Sequence, residues 1–241
     1  MNKVAIITGA SRGIGAATAQ LLADKGYAVC INYLNAEKKA YTLVENIRKQ
    51  NGKAIAVRAD MACENDILKM FEQVDNTLGP VTALVNNAGI NGGICEVSNI
   101  TQELLQLVFA TNVFGTFITC REAVKRMTHG GSIVNITSEA AKFGGNKLAH
   151  YAASKSAINT FTIGFAREVA YQNIRVNAVS PGVIDTEIHH ESPPERIASL
   201  INSIPMKRMG QTHEVSELIH WLLSDSSSYI SGAIIPITGS R

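Results

Sequence analysis

The sequence has little cysteine and almost no charge imbalance. Its 22 Lys and Arg residues against 20 Asp and Glu residues leave a net charge of +2, so bulk electrostatics does not predict a nucleic-acid partner. The 4 cysteines, Cys30, Cys63, Cys95 and Cys120, show no CxxC or other zinc spacing. The 6 histidines include no HExxH pattern. We therefore expect buried free thiols, a reducing compartment and no metal.

Long apolar runs, repeats and linkers are missing as well. No window approaches the ~18 unbroken apolar residues of a membrane span, and the run Val4-Ala5-Ile6-Ile7 is too short for a signal peptide. Apolar residues still make up 46% of the chain and charged residues 17%, which excludes a disordered protein. We predict one domain over residues 1–241, in the cytoplasm and without a membrane partner.

Short apolar, β-branched runs alternate with helical stretches along the chain. The predicted strands are residues 4–8, 28–33, 54–59, 83–86, 132–137, 174–180 and 233–237. The predicted helices are residues 14–25, 36–50, 64–78, 102–127, 151–171 and 212–224. Most of the strands read as continuous apolar runs, which is typical of strands buried on both faces. We predict an α/β fold, a doubly wound parallel sheet of about seven strands with helices on both faces.

The rhythm of strands and helices is interrupted over about residues 182–210. This segment follows the sixth predicted strand and contains Pro193, Pro194, Pro205 and two short helix-like pieces. Open α/β sheets bind ligands at the carboxyl ends of their strands, so the segment is predicted to be a substrate lid. An ordinary surface excursion is the alternative.

A glycine-rich turn follows the first predicted strand. Its sequence is Thr8-Gly9-Ala10-Ser11-Arg12-Gly13-Ile14-Gly15, and a helix begins there. Glycines let a pyrophosphate approach the backbone closely, and the helix N-terminus supplies N–H groups to the anion. The spacing is not the common GxGxxG, but the order strand, glycine turn and helix predicts a dinucleotide site. A structural turn without a ligand is the alternative.

The end of the second predicted strand bears on the choice of cofactor. The dinucleotide fingerprint expects an acidic residue there, to accept a hydrogen bond from the ribose 2′-hydroxyl. This chain has Asn32 and Tyr33 instead, and the first acidic residue is Glu37. Arg12, within the glycine turn, suits a phosphate by its charge and its fork geometry. The pattern favours NADP(H), with NAD(H) as the alternative.

A tyrosine and a lysine are spaced for joint action on one helix. Tyr151 and Lys155 lie four residues apart and share a helix face. A phenol titrates near pKa ~10, and a neighbouring cation lowers that pKa, so Tyr151 could exchange a proton with an alkoxide. Ser138 follows the fifth predicted strand, where its hydroxyl could hold a substrate oxygen. A solvated helix face and a helix cap are the alternatives.

Taken together, these motifs resemble the short-chain dehydrogenase/reductase family over nearly the whole chain. The matches are the turn from Thr8 to Gly15, the Asn-Asn-Ala-Gly from Asn86 to Gly89, Asn112, Ser138, Tyr151, Lys155, and the Pro-Gly-x3-Thr of Pro181, Gly182 and Thr186. The sequence is most similar to bacterial NADP-dependent oxidoreductases and glucose-1-dehydrogenase-like members, and more distantly to β-ketoacyl-carrier-protein reductases. Thr238-Gly239-Ser240 departs from the Asp-Gly-Gly of many members, which puts subunit-interface detail in doubt.

The resemblance implies a Rossmann-like fold and a catalytic tetrad. In it Tyr151 is the general acid, Lys155 lowers the pKa of that tyrosine and holds the nicotinamide ribose, Ser138 orients the carbonyl, and Asn112 supports a proton-relay water. The implied cofactor-binding residues are Gly9, Ser11, Arg12, Gly13, Ile14, Gly15, Asn32, Tyr33, Asp60, Met61, Asn87, Ala88, Gly89, Tyr151, Lys155, Pro181, Gly182, Ile184 and Thr186.

The function predicted from the residues and the resemblance is an NADP(H)-dependent oxidoreductase. It would interconvert a carbonyl and a secondary alcohol of a small molecule by hydride transfer, with Tyr151 as general acid/base. The resemblance also implies a homotetramer. A non-catalytic NADP-binding regulatory protein on the same fold is the alternative. The sequence does not define the substrate.

Overall fold

The structure, a computed structural model, describes residues 3–187 and 194–240. Its strands are β1 Val4–Ile7, β2 Ala28–Tyr33, β3 Ala54–Arg58, β4 Ala83–Asn86, β5 Gly131–Ile136, β6 Ile174–Pro181 and β7 Ile234–Ile237. They form one parallel sheet in the order β3-β2-β1-β4-β5-β6-β7. The predicted doubly wound sheet of about seven strands is confirmed, and each predicted strand lies within one or two residues of an observed one.

Helices connect the strands. In the described part of the chain they are α1 Gly13–Asp24, α2 Glu37–Lys49, α3 Glu64–Thr77, α4 Gln102–Phe109, α5 Gly115–Val124, α6 Ala140–Phe143, α7 Ala149–Val169, α8 Pro194–Ser203 and α9 Thr212–Leu223. Helix α8 accounts for one of the helix-like pieces expected in the lid segment, and residues 188–193 of that segment lie outside the described residues.

Two apolar layers lie on opposite faces of the sheet. In β1, Ala5 and Ile7 pack with residues of α1, α2 and α9, whereas Val4 and Ile6 pack with residues of α3, α5 and α7. Successive side chains of a strand point to opposite faces, and here both faces are covered by helices. This double burial explains why the strands read as unbroken apolar runs.

The order of the sheet creates a crevice beside the end of β1. The chain moves outward from β1 to β2 and β3, and then returns to place β4 on the other side of β1. Ligands of open α/β sheets bind at such a switch point, beyond the carboxyl ends of the strands. The glycine turn after β1 and the residues after β4 therefore meet at this edge.

The long helix predicted over residues 102–127 is interrupted. The five residues Ala110–Phe114 form a π-helical turn between α4 and α5. Such turns insert an extra residue into a helix and are frequent at functional sites. Hydrophobic periodicity does not distinguish a π-turn from a continuous helix, so the interruption was not predicted. It carries Asn112, one of the implied catalytic residues.

Two further expectations from the sequence concern the cysteines and the longest apolar stretch. The four cysteines are free thiols, and Cys30 and Cys120 are buried as predicted, whereas Cys63 and Cys95 are only partly buried. Within the described ranges one stretch, Gln102–Val124, is long and apolar enough to cross a membrane, with a mean hydropathy of 1.3. Helices that pack inside a protein pass the same test, and this stretch contacts α3, α7 and β4.

Candidate active site

The glycine turn has no room for side chains where the chain bends. Gly9 and Gly13 have φ angles of 60° and 56°, in the left-handed region that favours glycine. A Cβ on Gly15 would lie 2.5 Å from Nδ2 of Asn87 and 2.7 Å from the carbonyl oxygen of Gly9. Glycine is therefore required for the tight bend and for the close packing of the turn against the loop after β4.

Helix α1 begins in this turn with its N-terminal donors uncapped. Arg12 stands at the N-cap position without a capping side-chain hydrogen bond, and the first turn of α1 contains no acidic residue. The first N–H groups of a helix have no partner within the helix and attract anions. Together with the glycine cradle, this end of α1 fits the pyrophosphate of a dinucleotide.

Two residues fasten the glycine turn to the loop after β4. The hydroxyl oxygen of Thr8 accepts hydrogen bonds from the backbone N–H groups of Asn87 and Ala88, each at 2.9 Å. The side-chain amide of Asn87 donates to the carbonyl oxygens of Thr8 and Gly9 at 2.9 and 3.0 Å. The implied cofactor residues Asn87 and Ala88 thus hold the turn in shape.

Asn32 does not face the crevice. Its side chain is 1% exposed; Oδ1 accepts a hydrogen bond from the N–H of Gly9, and Nδ2 donates to the carbonyl oxygen of Ala59. Tyr33 is 4% exposed, and its hydroxyl donates to Glu37. The side chain of Asn32 therefore holds the glycine turn against the chain at the end of β3, and its implied part in cofactor binding stays a prediction.

The other implied cofactor residues lie along the same edge. Asp60 and Met61 lie just after β3. The carboxylate of Asp60 accepts a hydrogen bond from the N–H of Ala62, and the side chain of Met61 is buried. Thr186 lies over the glycine turn, since a Cβ on Gly13 would be 3.5 Å from its Cγ2. Ser11, Ile14, Gly182 and Ile184 are at least partly buried in the surrounding loops, and Ile184 bridges to Gly210.

Tyr151, Lys155 and Ser138 meet at the carboxyl end of β5. Helix α7 carries Tyr151 and Lys155, and the ammonium of Lys155 lies 5.9 Å from the centre of the Tyr151 ring. Nζ of Lys155 donates to the carbonyl oxygen of Ile136, the last residue of β5, at 2.9 Å. Oγ of Ser138 accepts from the N–H of Ala140 at 3.2 Å, the cap-like bond that the sequence left as an alternative.

Burial controls the protonation of this pair. It lowers the pKa of Lys155 to about 8, because the charged ammonium is removed from water. Burial also raises the pKa of Tyr151, and a hydrogen-bonding interaction with Ser138 acts in the opposite direction. The expectation that Lys155 lowers the pKa of Tyr151 is not met in this structure, where desolvation of the phenol dominates and the tyrosine stays protonated at neutral pH.

Asn112 braces the loop after β4. Its Nδ2 donates to the carbonyl oxygen of Ile90 and to Oγ of Ser154, and its Oδ1 accepts from the N–H of Ile90. A Cβ on Gly89 would lie 3.2 Å from both Oδ1 of Asn112 and Nζ of Lys155. The side chain of Asn112 therefore ties the loop after β4 to α7, and its support of a relay water stays a prediction.

A buried polar network lies beneath the site. The amide of Asn86 donates to Oδ1 of Asn135 at 2.9 Å and accepts from the hydroxyl of Thr119 at 2.7 Å. The amide of Asn135 in turn donates to the hydroxyl of Thr162 at 2.9 Å. This chain of hydrogen bonds joins β4 and β5 to α5 and α7. Satisfied buried networks fix a unique arrangement, so this one holds α7, the helix of Tyr151 and Lys155, on the sheet.

Sequence reasoning missed two contacts at the site. His150 is 2% exposed, and its Nε2 lies 2.8 Å from the carbonyl oxygen of Asn91. Glu187 forms ion pairs with Lys39 and Arg12. No local pattern signals either contact, because the partners are 59 or more residues apart.

Within residues 3–187 and 194–240 no three His, Cys, Asp or Glu side chains cluster as a metal site, and His189 and His190 lie outside these ranges.

A dinucleotide cradle beside a partly buried tyrosine and a buried lysine defines an oxidoreductase of the Rossmann-like class, and the comparisons with known proteins identify its family. A family model described as enoyl-(acyl carrier protein) reductase matches residues 9–239. The chain belongs to the short-chain dehydrogenase/reductase family, as the sequence motifs predict. This family uses NAD(P)(H) and acts on the CH–OH or carbonyl groups of small molecules.

Relatives cover almost the entire chain. The chain is 46% identical to the uncharacterized oxidoreductase YgfF of Escherichia coli, over 99% of both proteins. It is 34% identical to the 3-oxoacyl-(acyl-carrier-protein) reductase FabG of Staphylococcus epidermidis, over 99% of this chain and 98% of that one. The structure of a mutant short-chain dehydrogenase/reductase of Serratia marcescens superposes with a TM-score of 0.94 at 32% identity, covering 99% of this chain and 97% of that chain.

Proposed function

We propose that this protein is an NADP(H)-dependent enzyme that interconverts a carbonyl and a secondary alcohol, with Tyr151 as the general acid and base. The observation that carries the proposal is the meeting of Tyr151, Lys155 and Ser138 beside the glycine cradle, at one edge of the sheet. A protein that only binds the dinucleotide has no need to bury a lysine next to a tyrosine there, since burying a charge is costly.

The residues of the site divide the work of carbonyl reduction. The nicotinamide supplies the hydride in reduction and accepts it in oxidation. Ser138 holds the substrate oxygen, and Tyr151 donates a proton to that oxygen as it gains negative charge. The raised pKa of Tyr151 keeps its phenol protonated for this step. Lys155, with a pKa of about 8, changes charge within the working pH range and can restore the proton on Tyr151.

The preference for NADP(H) rests on the charges near the glycine turn. Arg12 is exposed at the start of α1, and Lys39 lies in the first turn of α2, just after β2. No acidic residue lies between residues 31 and 36 to repel a 2′-phosphate. A guanidinium and an ammonium together favour a phosphate dianion over a hydroxyl.

The proposed protein is a homotetramer of the cytoplasm. Phe114 and Phe117 are 59% and 45% exposed on the outer surface of the α4–α5 stretch, and Phe117 stacks on Phe161 of α7 at 3.8 Å. Exposed aromatic side chains on two neighbouring helices favour a subunit contact, in line with a homotetramer. The free thiols suit the cytoplasm.

The test is a spectrophotometric assay of the purified protein. NADPH oxidation is followed with a panel of aldehydes, ketones and 3-oxoacyl thioesters, the last because relatives are named 3-oxoacyl-(acyl-carrier-protein) reductases. Turnover of at least one carbonyl with NADPH, and of the matching alcohol with NADP⁺, supports the proposal. Tight NADPH binding without turnover across the panel, and with the same result for Tyr151→Phe, would favour the regulatory alternative.

A further inference from the structure

A carboxylate bridges the two cations that flank the cofactor crevice. Both carboxylate oxygens of Glu187 lie 2.7 Å from Nζ of Lys39, and Oε2 lies 3.9 Å from Nη1 of Arg12. Lys39 and Glu187 are 148 residues apart in the sequence. The contact therefore depends on the fold, which brings the segment after β6 across to the start of α2.

The bridge lies at the adenosine end of the crevice. Its neighbour Thr186 packs on Gly13 at the start of α1, which places Glu187 beside the glycine turn. Lys39 belongs to the first turn of α2, directly after the end of β2. In this fold the end of β2 faces the ribose 2′ position of the adenosine. Arg12 and Lys39 are thus the cations that a 2′-phosphate would meet, and Glu187 already pairs with both.

We propose that Glu187 is a specificity-determining residue, whose carboxylate competes with the 2′-phosphate of NADP(H) for Arg12 and Lys39. The inference rests on the proposed NADP(H) function. A phosphate monoester carries nearly two negative charges and three acceptor oxygens, so it can replace the single charge of a carboxylate. NAD(H), which has a hydroxyl at that position, gains nothing by displacing Glu187. The carboxylate therefore reduces the discrimination between the two cofactors.

The competition can be measured without catalysis. The cofactor-free protein is titrated by calorimetry with NADPH, NADH and 2′,5′-ADP, which carries the 2′-phosphate but no nicotinamide. We expect Glu187→Gln to bind NADPH and 2′,5′-ADP about threefold more tightly, the size of an exposed ion pair. Binding of NADH should stay the same. In a Lys39→Ala background the effect of Glu187→Gln should shrink, because one of the two cations for which the carboxylate competes is gone.

The matched control is Glu45→Gln, which removes the same charge from the exposed side of α2, the helix of Lys39. It should leave the ratio of the NADPH and NADH affinities unchanged. If Glu187→Gln also leaves that ratio unchanged, or weakens NADPH binding, Glu187 does not compete and instead orients the two cations. Wild-type protein that binds neither NADPH nor NADH would overturn the proposed function itself, an outcome distinct from the failure of this inference.

Discussion

Gly15 lies directly against the side-chain amide of Asn87. The amide is held in place by its hydrogen bonds to the carbonyl oxygens of Thr8 and Gly9, so it cannot move aside for a larger residue. The first turn of α1 and the loop after β4 therefore meet through the side chain of Asn87, and position 15 leaves no room for a side chain of its own. This contact sets the depth of the crevice in which a pyrophosphate would lie.

Gly15→Ala is predicted to destabilise the protein and to weaken NADPH binding. The added methyl group would also lie 2.7 Å from the carbonyl oxygen of Gly9, and overpacking of this kind costs about 1–3 kcal/mol. Chemical denaturation and NADPH titration measure the two effects. The control is Gly164→Ala in α7, where no atom lies within 4 Å of the new Cβ. That change should stabilise the protein by about 0.5–1 kcal/mol, as expected for glycine inside a helix.

Tyr151→Phe is predicted to remove most turnover and to leave NADPH binding intact. The change deletes the proton donor but none of the groups of the glycine cradle, and a positioned general acid contributes about 10²–10⁴-fold. Single-turnover rates measure the loss of proton donation, and NADPH titration measures cofactor binding. Tyr171→Phe, which alters an 83% exposed tyrosine beyond the end of α7, is the control. A Tyr151→Phe variant that keeps more than about a tenth of the rate would contradict the role of this residue.

Lys155 is predicted to make stability depend on pH above neutrality. Its pKa is about 8 in the folded protein and higher in the unfolded chain, so the unfolded state binds more protons between these values. Stability therefore rises as pH increases through that window, and the burial cost is fully present below pH 8. The free-energy difference between wild type and Lys155→Met should change by about 2–3 kcal/mol between pH ~7 and ~10, in favour of wild type.

Urea denaturation of both proteins at several pH values measures this change. The loss of the hydrogen bond to Ile136 is the same at each pH and cancels in the comparison. A constant difference across the range would mean that Lys155 titrates as it does in water.

Arg12→Ala is predicted to lower the preference for NADPH over NADH by about tenfold, since a charge-assisted bond to the 2′-phosphate is lost. The ratio of kcat/KM values with one good substrate measures it, and Arg167→Ala, an exposed arginine on α7, is the control. Asn32→Asp is unsuitable as the reverse test, because that side chain is buried among carbonyl oxygens. Leu34→Asp, at a 40% exposed position just after β2, should shift the preference toward NADH.

Phe114→Glu is predicted to dissociate the proposed oligomer. The side chain is 59% exposed in one subunit, so the monomer should fold normally while the charge disrupts an apolar contact. Light scattering at micromolar concentration gives the mass, and Tyr41→Glu, a 48% exposed aromatic on α2, is the control. A wild-type protein that is already monomeric would remove the basis of this prediction.

The sheet and the glycine turn could be predicted because local patterns specify them. Strands β2 and β4 were predicted with the observed limits, since continuous apolar runs are ended by polar residues such as Asn86. The positive φ angles of Gly9 and Gly13 follow from a tight turn between a strand and a helix. These features depend on neighbouring residues only.

Features set by distant parts of the chain could not be predicted. Asn32 lies at the usual position for a ribose contact, but its side-chain amide is hydrogen-bonded to the backbone of Gly9 and of Ala59. The pKa of Tyr151 depends on how deeply α7 buries it, and spacing alone gives only its distance from Lys155. The pairing of Glu187 with Lys39 requires the complete fold.

The π-turn at Ala110–Phe114 carries both a buried residue that holds a loop of the site and an exposed aromatic side chain. Asn112 is buried and holds Ile90 in the loop after β4, whereas Phe114, two residues later, is exposed at the surface. A second subunit seated on Phe114 would therefore press on the turn that positions Ile90. Mutations selected for changes in assembly at this surface should alter substrate turnover as well, although none of them would touch the substrate.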